Sequence, residues 1–379
     1  MSPVTKNPPD IDQKKTVFLI VSHSRAGGVQ EVWASLAENM HESGFDVRLI
    51  ALYRPAGAIL QADGNLKWQY FVECRSLTPL RMAVCALRLS RYIRVHKPKC
   101  VLTAMPFANC FVACISLFSS RRVRIALSHH TPINTYGKLS KIFNIVAGFL
   151  PNVKSIVCVS SAVASSARQK SDFYNAKLRI IKNSVAPSVE RMIKARAGHA
   201  SINLKLRKIV AIGRLSPEKN HSILIDAVSI AENIDLHIGG DGPERDNLIA
   251  QAKKLGVEHR VHFLGHLDRV SVIDVLAGGG IFAQPSLFEG HSLALIEAAL
   301  AGLPLLVSNV PAQIEGVTDR HGCVCGIIID PRSAKSWAEA FSRLVDCDDE
   351  YNHWSRRALK LSQDVSFADM AEEYIKLIK

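Results

Sequence analysis

Apolar residues recur along this chain in two rhythms. Short runs such as Val17-Phe-Leu-Ile-Val21 are apolar at every position, as strands buried on both faces of a sheet are. Longer stretches space them three and four apart, the repeat of an amphipathic helix. In the first half the strand rhythm predicts strands over 16–22, 46–52, 100–104, 123–128 and 155–159, with helices over 30–42, 80–95 and 138–149. The second half repeats the alternation. Strands are expected over 208–213, 235–240, 260–265, 281–284 and 304–308, with helices over 221–232 and 244–255. Strand–helix alternation of this kind builds parallel, doubly wound sheets.

A chain of 379 residues exceeds one ordinary core. The text turns polar and basic over 183–201, and this marks an interdomain connection. The expected layout is therefore α/β with two Rossmann-like domains facing a central cleft. A polar tail occupies 1–15, the first domain 16–195 and the second 200–355. A helix over 356–379 packs on the second domain and crosses back to the first. The run that opens at Val17 is too short for the core of a secretory leader and reads as the first buried strand. Residues 100–120 hold no charge, but Pro106 and Asn109 interrupt them, so they divide into a strand, a turn and a helix rather than a membrane span.

Composition is that of a globular protein, with 48% hydrophobic and 21% charged residues. Nine cysteines, at 74, 85, 100, 110, 114, 158, 323, 325 and 347, form no Cys-x-x-Cys pair. Buried free thiols in a reducing compartment are expected, not a disulfide framework or a zinc site. The net charge of +13 is uneven: residues 1–200 carry +18 and residues 201–379 carry −5. A basic half suggests a polyanionic partner for the first domain. Aromatics interleaved with the basic residues are missing, which argues against nucleic acid. The Arg-rich stretch from Arg81 to Lys99 reads as an amphipathic helix, either a core helix with a solvated Arg face or a dock for anionic lipid headgroups.

Candidate chemistry concentrates in the second half. Glu289 and Glu297 stand eight residues apart, the first in a loop after a strand and the second about one turn into a helix. The first amides of that helix lie near Gly290–Leu293, where free N–H groups beside carboxylates suit a phosphorylated sugar. Arg214 and Lys219 follow a strand end, where open α/β sheets bind ligands, and two cations there can neutralise a leaving diphosphate. Gly27 and Gly28 lie between the first strand and its helix and let a backbone approach phosphate. Without a GxGxxG, the dinucleotide fingerprint is missing. Asp346-Cys-Asp348 imitates a metal-binding Asp-x-Asp but ends a C-terminal helix, where a solvated turn is expected.

Four motifs occur in order: Gly213-Arg214-x4-Lys219-Asn220, Gly240-Asp241-Gly242-Pro243-Glu244, Phe263-Leu-Gly265-His266 and Pro285-Ser286-x2-Glu289-Gly290-x6-Glu297. Together they resemble the retaining glycosyltransferases of family 4, which have the GT-B fold. The resemblance is strong over 205–345 and looser in the first half. It implies transfer of a hexose from a nucleotide-diphosphate sugar to an acceptor hydroxyl, with no metal or other cofactor. It places Arg214 and Lys219 on the diphosphate, Glu297 on the ribose hydroxyls and Glu289 on the hydroxyls of the transferred sugar. Amides of Gly290, His291, Ser292 and Leu293 contact sugar and phosphate. Gly213, Gly265, His266 and Leu267 complete the donor side, with Gly27 and Gly28 across from them.

The family places a histidine at a strand end facing the donor sugar. His129 and His130 both sit there, and His130 is favoured because His-Thr follows the common arrangement. One departure stands out, since His291-Ser292 replaces the more frequent Phe-Gly. The backbone role should survive it, while sugar choice shifts.

The acceptor implied is a glycan or lipid-linked one, in synthesis of a cell-surface polysaccharide or glycolipid such as lipopolysaccharide, capsule or O-antigen. The location implied is cytoplasmic and peripheral to the inner face of a membrane. Two rivals remain open: a nucleotide-sugar epimerase of the same architecture, and a polyanion-binding protein with a degenerate site. Base, sugar, acceptor, linkage and oligomeric state are not legible from the residues.

Overall fold

The computed structural model describes residues 15–25, 27–54, 66–73, 78–119, 123–197 and 207–378. Residues 1–14 of the expected tail lie outside them. Thirteen strands form two sheets among the described residues. The first holds β1 (Thr16–His23), β2 (Asp46–Tyr53), β3 (Gln69–Val72), β4 (Cys100–Ala104), β5 (Arg124–His129), β6 (Val153–Cys158) and β7 (Leu178–Ile180). The second holds β8 (Lys208–Ile212), β9 (Asp235–Gly239), β10 (Val261–Gly265), β11 (Ile281–Gln284), β12 (Leu305–Ser308) and β13 (Ile327–Ile329).

The first sheet runs β3-β2-β1-β4-β5-β6-β7 and the second β10-β9-β8-β11-β12-β13. Every neighbouring pair of the second sheet is parallel. In both, strand order reverses beside the first strand, the doubly wound arrangement expected from the alternation. The predicted strands appear within a residue or two of their expected bounds, and the helix over 138–149 is Lys138–Phe149. The uncharged run over 100–120 divides into β4 and the helix Pro106–Ser119. No helix among the described residues is long and apolar enough to cross a membrane.

Strands β3, β7 and β13 were not expected. Each has three or four residues and closes an edge of its sheet, and runs that short carry too few positions to show a period. The stretch read as a connection forms the helix Pro187–Ala197, whose Val189 and Ile193 pack with Ile273, Ile296 and Leu300.

By contacts the chain divides into two compact units. One comprises Met1–Leu127, Ala147–Lys154 and Ile375–Lys379; the other comprises Ser128–Val146 and Ser155–Tyr374. The division passes through the first sheet, so the second unit holds the end of β5, most of β6 and all of the second sheet.

Within that unit, alternate strand residues feed opposite faces. Ile209, Ala211, Ile281 and Ala283 join Leu224, Val228, Trp337 and Phe341 on one face. Val210, Phe282, Leu305 and Val307 join Leu295, Ala298 and Ala299 on the other. A sheet covered on both sides leaves only its strand ends open to a ligand. At those ends the loops are stacked by hydrogen bonds: the Gly213 amide donates to the Gly239 carbonyl, Gly240 to Gly265, and Leu215 to Asp241.

At Gly240 the stacking leaves no room for a side chain. Gly240 has φ 138°, and a Cβ there would lie 1.9 Å from the Gly213 carbonyl oxygen. The contact is with backbone, which cannot rotate away. Gly240→Ala should therefore lower unfolding stability by about 2–3 kcal/mol, measured by denaturant titration. An unchanged midpoint would contradict the stacked-loop account.

Candidate functional site

The reversal of strand order in the second sheet falls between β8 and β11, so the loops leaving those two strands lie side by side. After β8 come Gly213 and Arg214, then a 3-10 turn at Pro217–Lys219 closed by Asn220 in the left-handed region, φ 54°. After β11 come Pro285, Ser286 and Glu289, and Ser292 then caps the helix Leu293–Leu300 by accepting from the Leu295 amide. Three links tie the loops together. Asn220 Nδ2 donates to the carbonyls of Pro285 (3.2 Å) and Pro331 (2.9 Å). The Leu287 amide donates to the Glu218 carbonyl at 2.8 Å. Lys219 Nζ lies 2.5 Å from Glu289 Oε1.

Glu289 is buried, and its Oε1 gathers more than the lysine. Ser286 Oγ donates to it at 2.8 Å and Gln284 Nε2 at 2.9 Å. Gln284 Nε2 also donates to Ser292 Oγ at 2.8 Å. One carboxylate oxygen is thus fixed by the end of β11, by its own loop and by the neighbouring loop. Arg214, in contrast, is exposed at the end of β8 and forms no ion pair among the described residues. It is a cation held out toward solvent at a sheet end.

Glu297 lies one turn into the helix Leu293–Leu300 and is almost fully buried. Burial pushes its carboxyl above the usual range, an effect opposed by the Arg269 guanidinium that donates to its Oε1. Arg269 was not foreseen from sequence, and neither were Gln284 and Ser286 as partners of Glu289. One signal was available. Arg269 opens the helix Arg269–Ala277 directly after its Asp268 cap, and a cation at a helix N-terminus is disfavoured by the macrodipole unless an anion holds it.

His129 ends β5 fully buried, with Nδ1 3.2 Å from the Tyr136 hydroxyl. His130 is half-buried, with Nε2 3.0 Å from Ser128 Oγ. Its backbone packs on Gly290, where a Cβ would fall 1.9 Å from the His130 carbonyl oxygen. The loop carrying Glu289 and Gly290 therefore lies against His130. Both imidazoles are pushed down by burial, His129 to about 4 and His130 to about 3, so both are neutral at pH 7. His291 is likewise held down to about 4 by burial and by Lys182. Its carbonyl accepts from Asn183 Nδ2 at 3.0 Å.

The second unit thus collects His130, Arg214, Lys219, Glu289–Leu293 and Glu297. Gly213 lies under the Lys219 side chain, and Gly265 (φ 69°), His266 and Leu267 continue from β10. Gly27 and Gly28 belong to the first unit, at the start of the helix Gly28–Glu42. Asp346 ends the helix Ala334–Asp346 and pairs with Arg207 at 3.0 Å, a surface contact.

Two doubly wound sheets, with cations and carboxylates at the switch point of the second, are the arrangement of the GT-B fold. The family described as "Glycosyl transferases group 1" matches residues 194–361, and "Glycosyltransferase Family 4" matches 26–189. Together they take in most of the chain, which belongs to the group 1 glycosyltransferases of the family 4 type. Among curated proteins it is 28% identical over 206 residues to a D-inositol 3-phosphate glycosyltransferase of Corynebacterium glutamicum (strain R). That match covers 51% of this chain and 48% of the relative, so it spans about half the relative's length. Among solved structures, Anabaena Alr3699/HepE in complex with UDP and glucose superposes with a TM-score of 0.76 at 16% identity, over 96% of this chain and 98% of that one. WaaG, a glycosyltransferase involved in lipopolysaccharide biosynthesis, gives 0.71 at 16% identity, over 96% and 99%. These likenesses establish a shared fold.

The Arg269–Glu297 pair sets a pH-dependent stability. Removing the guanidinium leaves a buried carboxylate without its countercharge, so Arg269→Met should cost about 3 kcal/mol at pH 7. The loss of the cation also raises the Glu297 pKa further. As pH falls through that raised value, the carboxyl takes up a proton and the unpaired charge disappears. The gap between variant and wild type should therefore narrow on acidification, read by denaturant titrations across pH. A gap constant with pH would show that Glu297 is not the group affected.

Proposed function

We propose that this protein is a retaining hexosyltransferase. It moves a sugar from a nucleotide-diphosphate donor to an acceptor hydroxyl without a metal ion. The observation that carries the reading is the arrangement across β8 and β11, in which Lys219 and the exposed Arg214 stand beside a fixed Glu289 and the capped start of the helix Leu293–Leu300. Sugar hydroxyls donate to the carboxylate of Glu289, and Glu297 receives those of the ribose. Arg214, Lys219 and the amides at the helix start take the charge of the diphosphate. His130, neutral at working pH, faces the sugar as a hydrogen-bonding group and not as a cation.

In the reaction the bond from the anomeric carbon to the diphosphate oxygen breaks, and a bond from that carbon to the acceptor oxygen forms on the same face. The acceptor's proton passes to the departing phosphate, whose charge Arg214 and Lys219 hold. No enzymic nucleophile is required. His291 in place of the family's usual apolar residue tunes which sugar is carried.

The acceptor is glycan or lipid-linked and is presented at the cytoplasmic face of a membrane, in synthesis of a cell-surface glycan. The charge of +18 on residues 1–200 and the likeness to a lipopolysaccharide glycosyltransferase support this setting.

A panel of nucleotide sugars with glycolipid acceptors tests the reading. Release of nucleotide diphosphate is expected with one donor class and is unaffected by a chelator. Proton NMR of the product should show the anomeric configuration of the donor. Lys219→Ala should lower kcat by about 10²-fold with a smaller change in KM. An inverted product, or conversion of the donor to its epimer, would overturn the proposal.

A further inference from the structure

Behind His130 stand a serine and a tyrosine. Strand β5 ends at His129, and side chains alternate between the two faces of a strand. The alternation puts Ser128 and His130 on one side, with Ser128 Oγ 3.0 Å from His130 Nε2. His129 points the other way and meets the Tyr136 hydroxyl. On the first side the Tyr374 hydroxyl lies 3.3 Å from the same Ser128 Oγ. Ser128 and Tyr374 are almost completely buried, and all three residues belong to one unit.

Packing does not account for the phenol oxygen. On the helix Phe367–Ile378 the buried side chains include Phe367, Met370, Ala371, Tyr374 and Ile378, spaced as one helical stripe. A phenylalanine would fill the place of Tyr374 in that stripe equally well. A hydroxyl taken out of water is costly unless it is paired, and this one is paired with Ser128. Burial also pushes the phenol above its ordinary pKa, so it stays protonated and keeps a proton to donate.

Acidity sets the direction of the two hydrogen bonds. A phenol is a stronger donor and a weaker acceptor than an aliphatic hydroxyl, so Tyr374 donates to Ser128 Oγ. Ser128 then donates its own proton to the lone pair of His130 Nε2. The ring proton is thereby assigned to Nδ1, and each bond of the row strengthens the next. Without the phenol, Ser128 either donates to Nε2 or accepts from it, and the ring loses its single tautomer. The His130 carbonyl packs on Gly290, so a ring fixed in this way stands against the loop that carries Glu289.

We propose that Tyr374 is a positioning residue for the transfer: through Ser128 it fixes the tautomer and ring orientation of His130. It acts through the imidazole and not on the substrate. The consequence for catalysis rests on the reading of His130 as a group that faces the donor sugar. The tautomer belongs to the protein without donor, so either idea can fail alone.

The test joins nitrogen NMR to kinetics on the full chain. With isotope-labelled histidine, the His130 signals are those missing from His130→Asn, and long-range proton–nitrogen spectra report which ring nitrogen is protonated. Wild type should carry the proton on Nδ1, and Tyr374→Phe should show an average of the two tautomers. Tyr374→Phe should also lower kcat about tenfold with little change in donor KM. Ser128→Ala should reproduce both effects. In the His130→Asn background, Tyr374→Phe should cost nothing further. A wild-type ring protonated on Nε2, or spectra unchanged in Tyr374→Phe, would overturn the proposal. So would an equal loss from Tyr374→Phe with and without His130, since that makes its role one of packing alone. A His130→Asn enzyme as fast as wild type would instead sink the sugar contact of His130, and the nitrogen spectra would still decide for or against Tyr374.

Discussion

One carboxylate oxygen, Oε1 of Glu289, receives Lys219, Ser286 and Gln284 at the point where the second sheet reverses its strand order. The position is a consequence of topology. Parallel sheets wound in both directions from a central strand leave a crevice between the first two strands of opposite sense, and here these are β8 and β11. With both faces covered, the sheet offers a ligand its strand ends, and the loops of β8 and β11 flank the crevice there. The Lys219–Glu289 contact couples them, and Asn220 and the Leu287 amide secure the coupling through backbone carbonyls. A ligand entering there meets a cation and an anion already held in place, which lowers the cost of ordering them on binding.

The second carboxylate repeats this logic at greater depth. Burial alone would favour a protonated Glu297, and Arg269 opposes it from a helix start that otherwise repels a cation. Each glutamate of the pair therefore has its own basic partner. The sequence had suggested a simpler division, with carboxylates for hydroxyls and cations for phosphates. In the proposed reaction Lys219 belongs to both sides of that division, since it holds Glu289 and also takes charge of the diphosphate. Donor phosphate and Glu289 then compete for one ammonium.

Much of the fold was legible because the alternation of fully apolar runs with period-3.6 segments admits few arrangements. The ends of the runs also located the loops of the site, since Gly240, Gly242 and Gly290 mark places where backbone meets backbone. Partners were harder to read. Arg269 and Glu297 are 28 residues apart, and nothing in local periodicity reports a tertiary contact. Gln284 looked like the polar end of an apolar strand and proved to be a ligand of Glu289. The helix Lys138–Phe149 shows the limit most plainly. Its periodicity fixed the helix to the residue, yet a period states that an apolar face exists and not which way it points.

The measurement that bears most directly on the site is a double-mutant cycle between Lys219 and Glu289, read as nucleotide-sugar affinity by calorimetry. Lys219→Met, Glu289→Gln and the double variant supply the three corners beside wild type. If the contact across β8 and β11 organises the donor site, the double variant will depart from additivity by more than about 1 kcal/mol. Additive losses, within about 0.3 kcal/mol, would mean that the two residues act separately and that the pair is not the hinge of the site.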